Sequence, residues 1–349
     1  MTLSGSDPSA LAPEWRSWLA ENLARGVEPE ALARLLERAG VPLALVRLEL
    51  QRAMRHPALR AARSLSTRHA RLEALLESYR RLYRQSGAHR HLERRRALSP
   101  EEFFERYYFR NRPVVLQGLL EDWPARTRWS PEFFAERFGD CLVEVMTGRE
   151  SEPEDHDFRV APHRTKMTMR DYVTRVRSAG ETNDFYMIAR NVVLNEPAFR
   201  PLLEDIRPPA GLIHPELGMP DSMHLWFGPA GTLSNLHHDH LNVLFCQLHG
   251  RKRFWLMPSF ELSRAYNHRG LSSEVDIRAP ALERFPAFGE ASLVELVLEP
   301  GEVLLIPVGW WHAVKALDVS ISLTFVSFAL PERNTLWKNF WLGPVPEDG

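Results

Sequence analysis

Pro300-Gly301-Glu302-Val303-Leu304-Leu305-Ile306-Pro307-Val308-Gly309-Trp310-Trp311-His312 is the stretch on which the fold of this chain turns. Pro300-Gly301 reads as a turn, and the apolar run Val303 to Ile306 reads as a short buried strand. Working outward, the same character recurs at Leu241 to Leu248, Arg253 to Met257, Leu293 to Leu298 and Ser320 to Val326. These runs are rich in β-branched or aromatic residues. Turn residues such as Gly228-Pro229 punctuate them. Many short strands without long helices between them predict a mainly β domain, a double-sheet jelly roll or double-stranded β-helix.

Flanking helices precede the strands. In Ser99-Pro100-Glu101-Glu102, Ser99 is placed as N-cap, Pro100 as the first helical residue and Glu102 as capping-box partner. Ser130-Pro131 repeats the device, Gly139 ends that helix, and Thr168 with Asp171 starts another. Short β-rich runs are expected at Pro113 to Leu116, Leu142 to Met146 and Phe185 to Ile188. Before all of these, Ala10 to His91 reads as helical, because Ala, Leu, Arg and Glu dominate and strand alternation is absent. Leu32, Leu35 and Leu36 share one face, as do Leu43, Val46 and Leu50. Gly40-Val41-Pro42 separates two helices, and a further helix is expected from Thr67 to Gln85. The expected organisation is a helical arm over 1–97, a catalytic domain over 98–331 and a short tail or helix over 332–349.

The 349 residues are 44% hydrophobic and 26% charged, an ordinary globular composition. No apolar run approaches the roughly 18 residues of a membrane span. Met1-Thr2-Leu3-Ser4-Gly5-Ser6-Asp7 lacks the pattern of a secretory signal. The two cysteines, Cys141 and Cys246, read as small core residues, and a reducing cytoplasm is the expected setting. Residues 1–100 hold 18 Arg, no Lys and 10 acids, a balance of +8, which leaves −9 for the remainder of a chain of net charge −1. The run Arg80, Arg81, Arg84, Arg90, Arg94, Arg95 and Arg96 reads as a solvated face or one that docks on acidic residues. No nucleic-acid motif accompanies it, so a nucleic-acid partner is not expected. The acidic balance beyond residue 100 suggests a basic partner through steering.

His312 matters most beside Ser234-Asn235-Leu236-His237-His238-Asp239. On a strand, residues i and i+2 point the same way, so His237 and Asp239 can face one metal, with His312 contributed by another strand. Two imidazoles and a carboxylate on one face of an octahedral metal leave positions open, the donor set of non-haem Fe(II) oxygenases. His237-x-Asp239 alone is as readily a core histidine beside a turn-capping acid; His312 shifts that balance. His238 and His240 would share the opposite face as packing or supporting residues. A zinc site is the chemical rival, but it lacks an evident further ligand or Cys cluster. Lys252 is either a surface lysine between Arg251 and Arg253 or the point charge that holds the far carboxylate of a metal-chelating dicarboxylate. Tyr186 and Trp226 read as core aromatics with satisfied polar tips.

Together, Trp226-Phe227-Gly228-Pro229-Ala230-Gly231-Thr232, His237-His238-Asp239, Gly250-Arg251-Lys252 and Pro307-Val308-Gly309-Trp310-Trp311-His312 resemble the JmjC-type, cupin-fold 2-oxoglutarate/Fe(II) oxygenases. The nearest branch is the hydroxylase group that includes the factor-inhibiting-HIF asparaginyl hydroxylase and bacterial cupin-like proteins. The resemblance runs from about Leu98 to Pro331 and takes in Pro113 to Gly118 and Trp123-Pro124. It implies Fe(II) on His237, Asp239 and His312, and 2-oxoglutarate as co-substrate with its C5 carboxylate on Lys252. Ser234 and Tyr186 are implied as further co-substrate contacts, Trp226 as a wall of the site, and Thr324 as standing where some relatives carry Asn or Ser. The chain departs from the pattern at Val243, where many relatives have Asn, and Asn242 beside it faces the other way. Met187-Ile188-Ala189-Arg190 also lacks a Gln common in relatives.

The resemblance implies oxidative decarboxylation of 2-oxoglutarate coupled to hydroxylation, with a protein or peptide side chain as the expected substrate. The alternatives are a small-molecule hydroxylase, an N-methyl-lysine demethylase and a non-catalytic metal-binding module. A homodimer is expected through the arm or through Arg333 to Leu342.

Overall fold

The computed structural model describes residues 11–96, 98–151, 163–188, 193–214, 222–267 and 270–330. The expected tail over 332–349, its helix Arg333 to Leu342, the leader Met1 to Asp7 and Ala189-Arg190 lie outside the described residues. The chain forms two compact units, Met1–Tyr79 and Arg80–Gly349.

The first unit is helical. Helices α1 (Pro13–Ala24), α2 (Pro29–Arg38), α3 (Leu43–Arg55) and the first part of α4 (Pro57–Ser86) enclose Leu19, Leu23, Leu32, Leu36, Val46, Leu50 and Leu59. Gly40 breaks the chain between α2 and α3 with φ +86°, a left-handed conformation open to glycine without steric cost. The expected helix from Thr67 starts ten residues earlier, at Pro57. A proline suits the first helical turn, where its missing N–H has no partner to lose.

The second unit is built on strands β1 (Arg94–Arg96), β2 (Val114–Gln117), β3 (Leu142–Met146), β4 (Arg164–Thr168), β5 (Met223–Gly228), β6 (Leu233–His237), β7 (Val243–His249), β8 (Lys252–Met257), β9 (Val294–Leu298), β10 (Glu302–Ile306), β11 (Trp311–Ala316) and β12 (Ser320–Phe325). Six form one sheet in the order β1-β2-β10-β7-β12-β5, and four form another in the order β6-β11-β8-β9. The jelly roll expected from the sequence is therefore present. Side chains from both sheets meet in a shared core: Phe245 and Leu304 from the larger, Phe254, Leu256, Leu296 and Val314 from the smaller. The outer face of the larger sheet buries Leu225, Phe227, Cys246 and Leu323 against the flanking helices, including Phe134, Phe138 and Tyr172. Both cysteines are free thiols.

The helix starts follow their caps. Ser99 accepts from Glu102 N, Ser130 from Phe133 N and Thr168 from Asp171 N. The Glu102 carboxylate turns instead to Arg95 and Arg106. Phe185 to Ile188 is not a strand: Tyr186 and Met187 make isolated bridges to Met146 and Phe227. Several arginines of the basic run pair with acids of their own unit. Arg80 meets Glu290, Arg94 meets Glu302, Arg95 meets Glu93 and Glu102, and Arg96 meets Glu121. Among the described residues no helix is long and apolar enough to cross a membrane.

Candidate active site

Strand pairing brings the histidines together. His237 ends β6 directly opposite His312 on the antiparallel neighbour β11, with ring centroids 4.2 Å apart. His312 Nε2 lies 3.6 Å from the Asp239 carboxylate. One ligand atom from each of the three side chains falls within 4.8 Å of the others. Asp239 reaches this point by a route the i, i+2 argument did not anticipate, because β6 stops at His237 and Asp239 follows in irregular backbone. Its carbonyl accepts from Gly309 N at 3.2 Å, so the turn before β11 fixes the segment that carries the acid.

The ring nitrogens are assigned by their partners. His237 Nδ1 is 2.7 Å from the Asn235 carbonyl oxygen, and His312 Nδ1 is 3.0 Å from that of Trp310. A carbonyl only accepts, so each Nδ1 carries a proton, and Nε2 is the nitrogen that the neutral ring would offer to a metal. Burial, with His237 alongside, holds His312 well below the usual histidine range, which keeps the imidazole neutral as a metal ligand must be.

Lys252 opens β8 and is 1% exposed. Its Nζ donates to Tyr186 Oη at 2.9 Å and otherwise faces the rings of Phe245, Tyr186 and Trp226 at 5.1 to 6.0 Å. Burial pushes its pKa down to about 7. Burial leaves the ammonium form costly unless an anion pairs with it.

His237, Asp239, His312, Lys252, Ser234, Tyr186, Trp226 and Thr324 all line one cavity of about 570 Å³. Trp226 Nε1 donates to Thr324 Oγ1 at 3.2 Å. Val243 lines the same space, whereas Asn242 points away and its Oδ1 accepts from Val308 N at 2.9 Å. His238 is a packing residue, its ring 4.7 Å from that of Trp311. His240 differs from expectation: it lines the cavity, because beyond His237 no strand imposes alternation.

Two supporting residues escaped the sequence reading. Arg149, 1% exposed, lies 5.5 Å from the Tyr186 ring and donates to the Leu233 carbonyl at 2.6 Å. Asn111 accepts from Trp310 Nε1 at 2.8 Å through Oδ1 and donates Nδ2 to the Val308 carbonyl at 2.9 Å. It thereby clamps the turn whose Trp310 carbonyl orients His312. No local pattern marks either residue; each is tied to the site by contacts distant in sequence.

Residues 100–341 match the model of the cupin-like domain family. This chain belongs to the cupin-like JmjC family. Among its relatives, lysine-specific demethylase 8 of Xenopus tropicalis is 32% identical over 232 residues, covering 65% of this chain and 50% of that protein. Lysine-specific demethylase JMJ30 of Arabidopsis thaliana is 30% identical over 67% of this chain and 54% of its own length. The bifunctional peptidase and (3S)-lysyl hydroxylase JMJD7 of Homo sapiens is 24% identical over 65% of this chain and 80% of its own. The chain thus spans about half the length of the two demethylases. Enzymes of the cupin-like JmjC family use Fe(II) and 2-oxoglutarate. The residues here fit both: two imidazole Nε2 atoms and a carboxylate suit Fe(II), and the buried Lys252 amine suits the far end of a dicarboxylate.

Proposed function

We propose that this chain is an Fe(II)- and 2-oxoglutarate-dependent dioxygenase that hydroxylates a protein or peptide side chain, with the reaction carried by residues 98–331. The observation that carries the reading is that the metal-type triad and the buried Lys252 share one cavity. In this reading His237 Nε2, Asp239 and His312 Nε2 hold the iron. Lys252, Tyr186, Ser234 and Thr324 hold the far carboxylate of the co-substrate, and Trp226 walls the site. The chemistry that bound iron and 2-oxoglutarate supply is oxidative decarboxylation, in which one oxygen atom of O₂ ends in succinate and the other in the substrate.

The protein contributes placement and exclusion. Val243, Phe245, Ile306 and Val314 give the cavity apolar walls that limit water. Asn111, Asn242 and Asp239 O hold the turn Pro307–Trp310, which sets the His312 ring. Arg164, His224, His240 and Leu241 also line the cavity and are placed to meet the substrate. Asp239 is the sole carboxylate among the described lining residues.

N-methyl-lysine demethylation is the second reading, favoured by the names of the Xenopus and Arabidopsis relatives. A reducing compartment such as the cytoplasm suits the free thiols. The test is succinate release by purified protein with fractionated lysate, followed by mass spectrometry. A gain of one oxygen on a protein supports the proposal. Formaldehyde release with mass loss identifies a demethylase, oxygen gained on metabolites alone identifies a small-molecule enzyme, and no turnover with any fraction removes the enzymatic reading.

A further inference from the structure

Helix α4 is 30 residues long and carries an apolar stripe with no cover in the described chain. Leu65, Leu72, Leu75, Tyr79 and Leu82 are between 51 and 65% exposed. Large exposed apolar side chains are unremarkable singly, but a contiguous row marks an interaction surface. The spacing is specific. Leu65, Leu72 and Tyr79 are separated by seven residues, as are Arg68, Leu75 and Leu82, and the two series interleave by three and four. That is the a/d seam of a coiled coil, narrower than the apolar face with which a helix packs on a globular core. The seam extends for about 26 Å along the helix.

We propose that this seam pairs with the same seam of a second copy of the chain, the two α4 helices running antiparallel. The stripe is self-complementary in that direction. With Leu72 opposite the partner's Leu75, Leu65 falls opposite the partner's Leu82 and Arg68 opposite the partner's Tyr79. Every layer then recurs under one two-fold axis, as an isologous interface requires. Two layers on each side of the axis are apolar. The third sets a guanidinium against an aromatic face, a favourable cation–π pairing. A parallel in-register pair would instead stack Arg68 on Arg68, a like-charge contact within the seam. The polar layer therefore selects direction, and the occupant is this chain rather than an arbitrary apolar partner.

Sedimentation velocity on the full chain, from low to high micromolar concentration, is the first test. The expected result is a concentration-dependent species of twice the 40.2 kDa chain mass. The double variant Leu72→Glu/Leu75→Glu is expected to be monomeric at every concentration with an unchanged melting temperature, since both positions are exposed. Direction is read by oxidation of cysteine variants in a Cys141→Ser background. Leu65→Cys/Leu82→Cys in one chain should form a covalent dimer, while Leu65→Cys or Leu82→Cys alone should not. A monomer at all concentrations, a dimer indifferent to the glutamates, or cross-linking of the single-cysteine variants would each overturn the proposal. None of these outcomes depends on turnover, so they stand apart from the proposed activity.

Discussion

Lys252 must take a proton to hold a carboxylate, and its burial makes that proton costly. With its pKa pushed down to about 7, the free protein carries a mostly neutral amine above neutral pH. A bound carboxylate favours the charged form and raises that pKa. The complex therefore holds more protons than the free protein above pH 7, and affinity falls as pH rises. Calorimetry of 2-oxoglutarate binding to Mn(II)-loaded protein in buffers of different ionisation enthalpy should show clearly more proton uptake at pH 8 than at pH 6. The dissociation constant should climb toward tenfold per pH unit above neutrality. Lys252→Met should abolish the uptake and weaken binding roughly 100-fold. Equal uptake by the variant would remove Lys252 from the site.

Asn111 tests a different property at the same scale. It sits at φ +50°, which Asn tolerates better than most residues, and its side chain clamps the turn before His312. Asn111→Gly keeps the backbone conformation and deletes the clamp. Co(II) titration followed by visible absorption should show metal affinity down about tenfold, the usual cost of losing a supporting contact. The melting temperature of the metal-free protein should stay close to that of the parent. Unchanged Co(II) affinity would show that the turn orients His312 without this residue. Neither Asn111 nor Arg149 was legible in the sequence, because their significance is in partners far along the chain. Asn111 is 199 positions from Trp310 and Arg149 is 84 from Leu233. His237, Asp239 and His312 could be picked out only jointly, through their spacing and the family resemblance, and Lys252 only beside them; the structure brings the three donors into one cluster.

Among the elements, the β7–β8 turn sets where Lys252 starts. Gly250 has φ +66°, and a Cβ there would overlap the Val319 carbonyl oxygen, which is backbone and cannot move aside. Gln247 Nε2 closes the turn by donating to the carbonyls of His249 and Gly250, and Arg251 is held by Asp318 at 2.8 Å. Gly250→Ala should cost about 3 kcal/mol through strain at a left-handed position plus the clash. Because Lys252 follows two residues later, the same change should weaken 2-oxoglutarate binding in whatever protein remains folded. Thermal denaturation and calorimetry measure the two effects, and an Ala variant of parental stability would contradict the close approach. Strands β3, β8, β9 and β10 start within one residue of the expected Leu142, Arg253, Leu293 and Val303, each run being followed within two positions by glycine or proline. Tyr186 was harder, since a single bridge on each side leaves no alternation to read. His240 was misplaced because strand parity was extended past the end of β6.

For the whole molecule, the two compact units have separate cores, and the metal-type cluster found among the described residues lies in Arg80–Gly349. Ligand binding stabilises only the folded unit that binds it. Co(II) at a hundredfold its dissociation constant should stabilise that unit by about 2.7 kcal/mol, a rise of roughly 5–10 °C for a unit of this size. The helical unit buries its own leucines around Leu19, Leu32 and Val46. Scanning calorimetry should therefore resolve two transitions, of which Co(II) moves one. In His312→Ala neither should move, since one of three ligands is gone and the remaining pair offers no complete face to the metal. A single transition that Co(II) shifts as a whole would mean that the units unfold together. No shift in the parent protein would show that His237, Asp239 and His312 meet without binding metal, and the proposed chemistry would have no centre.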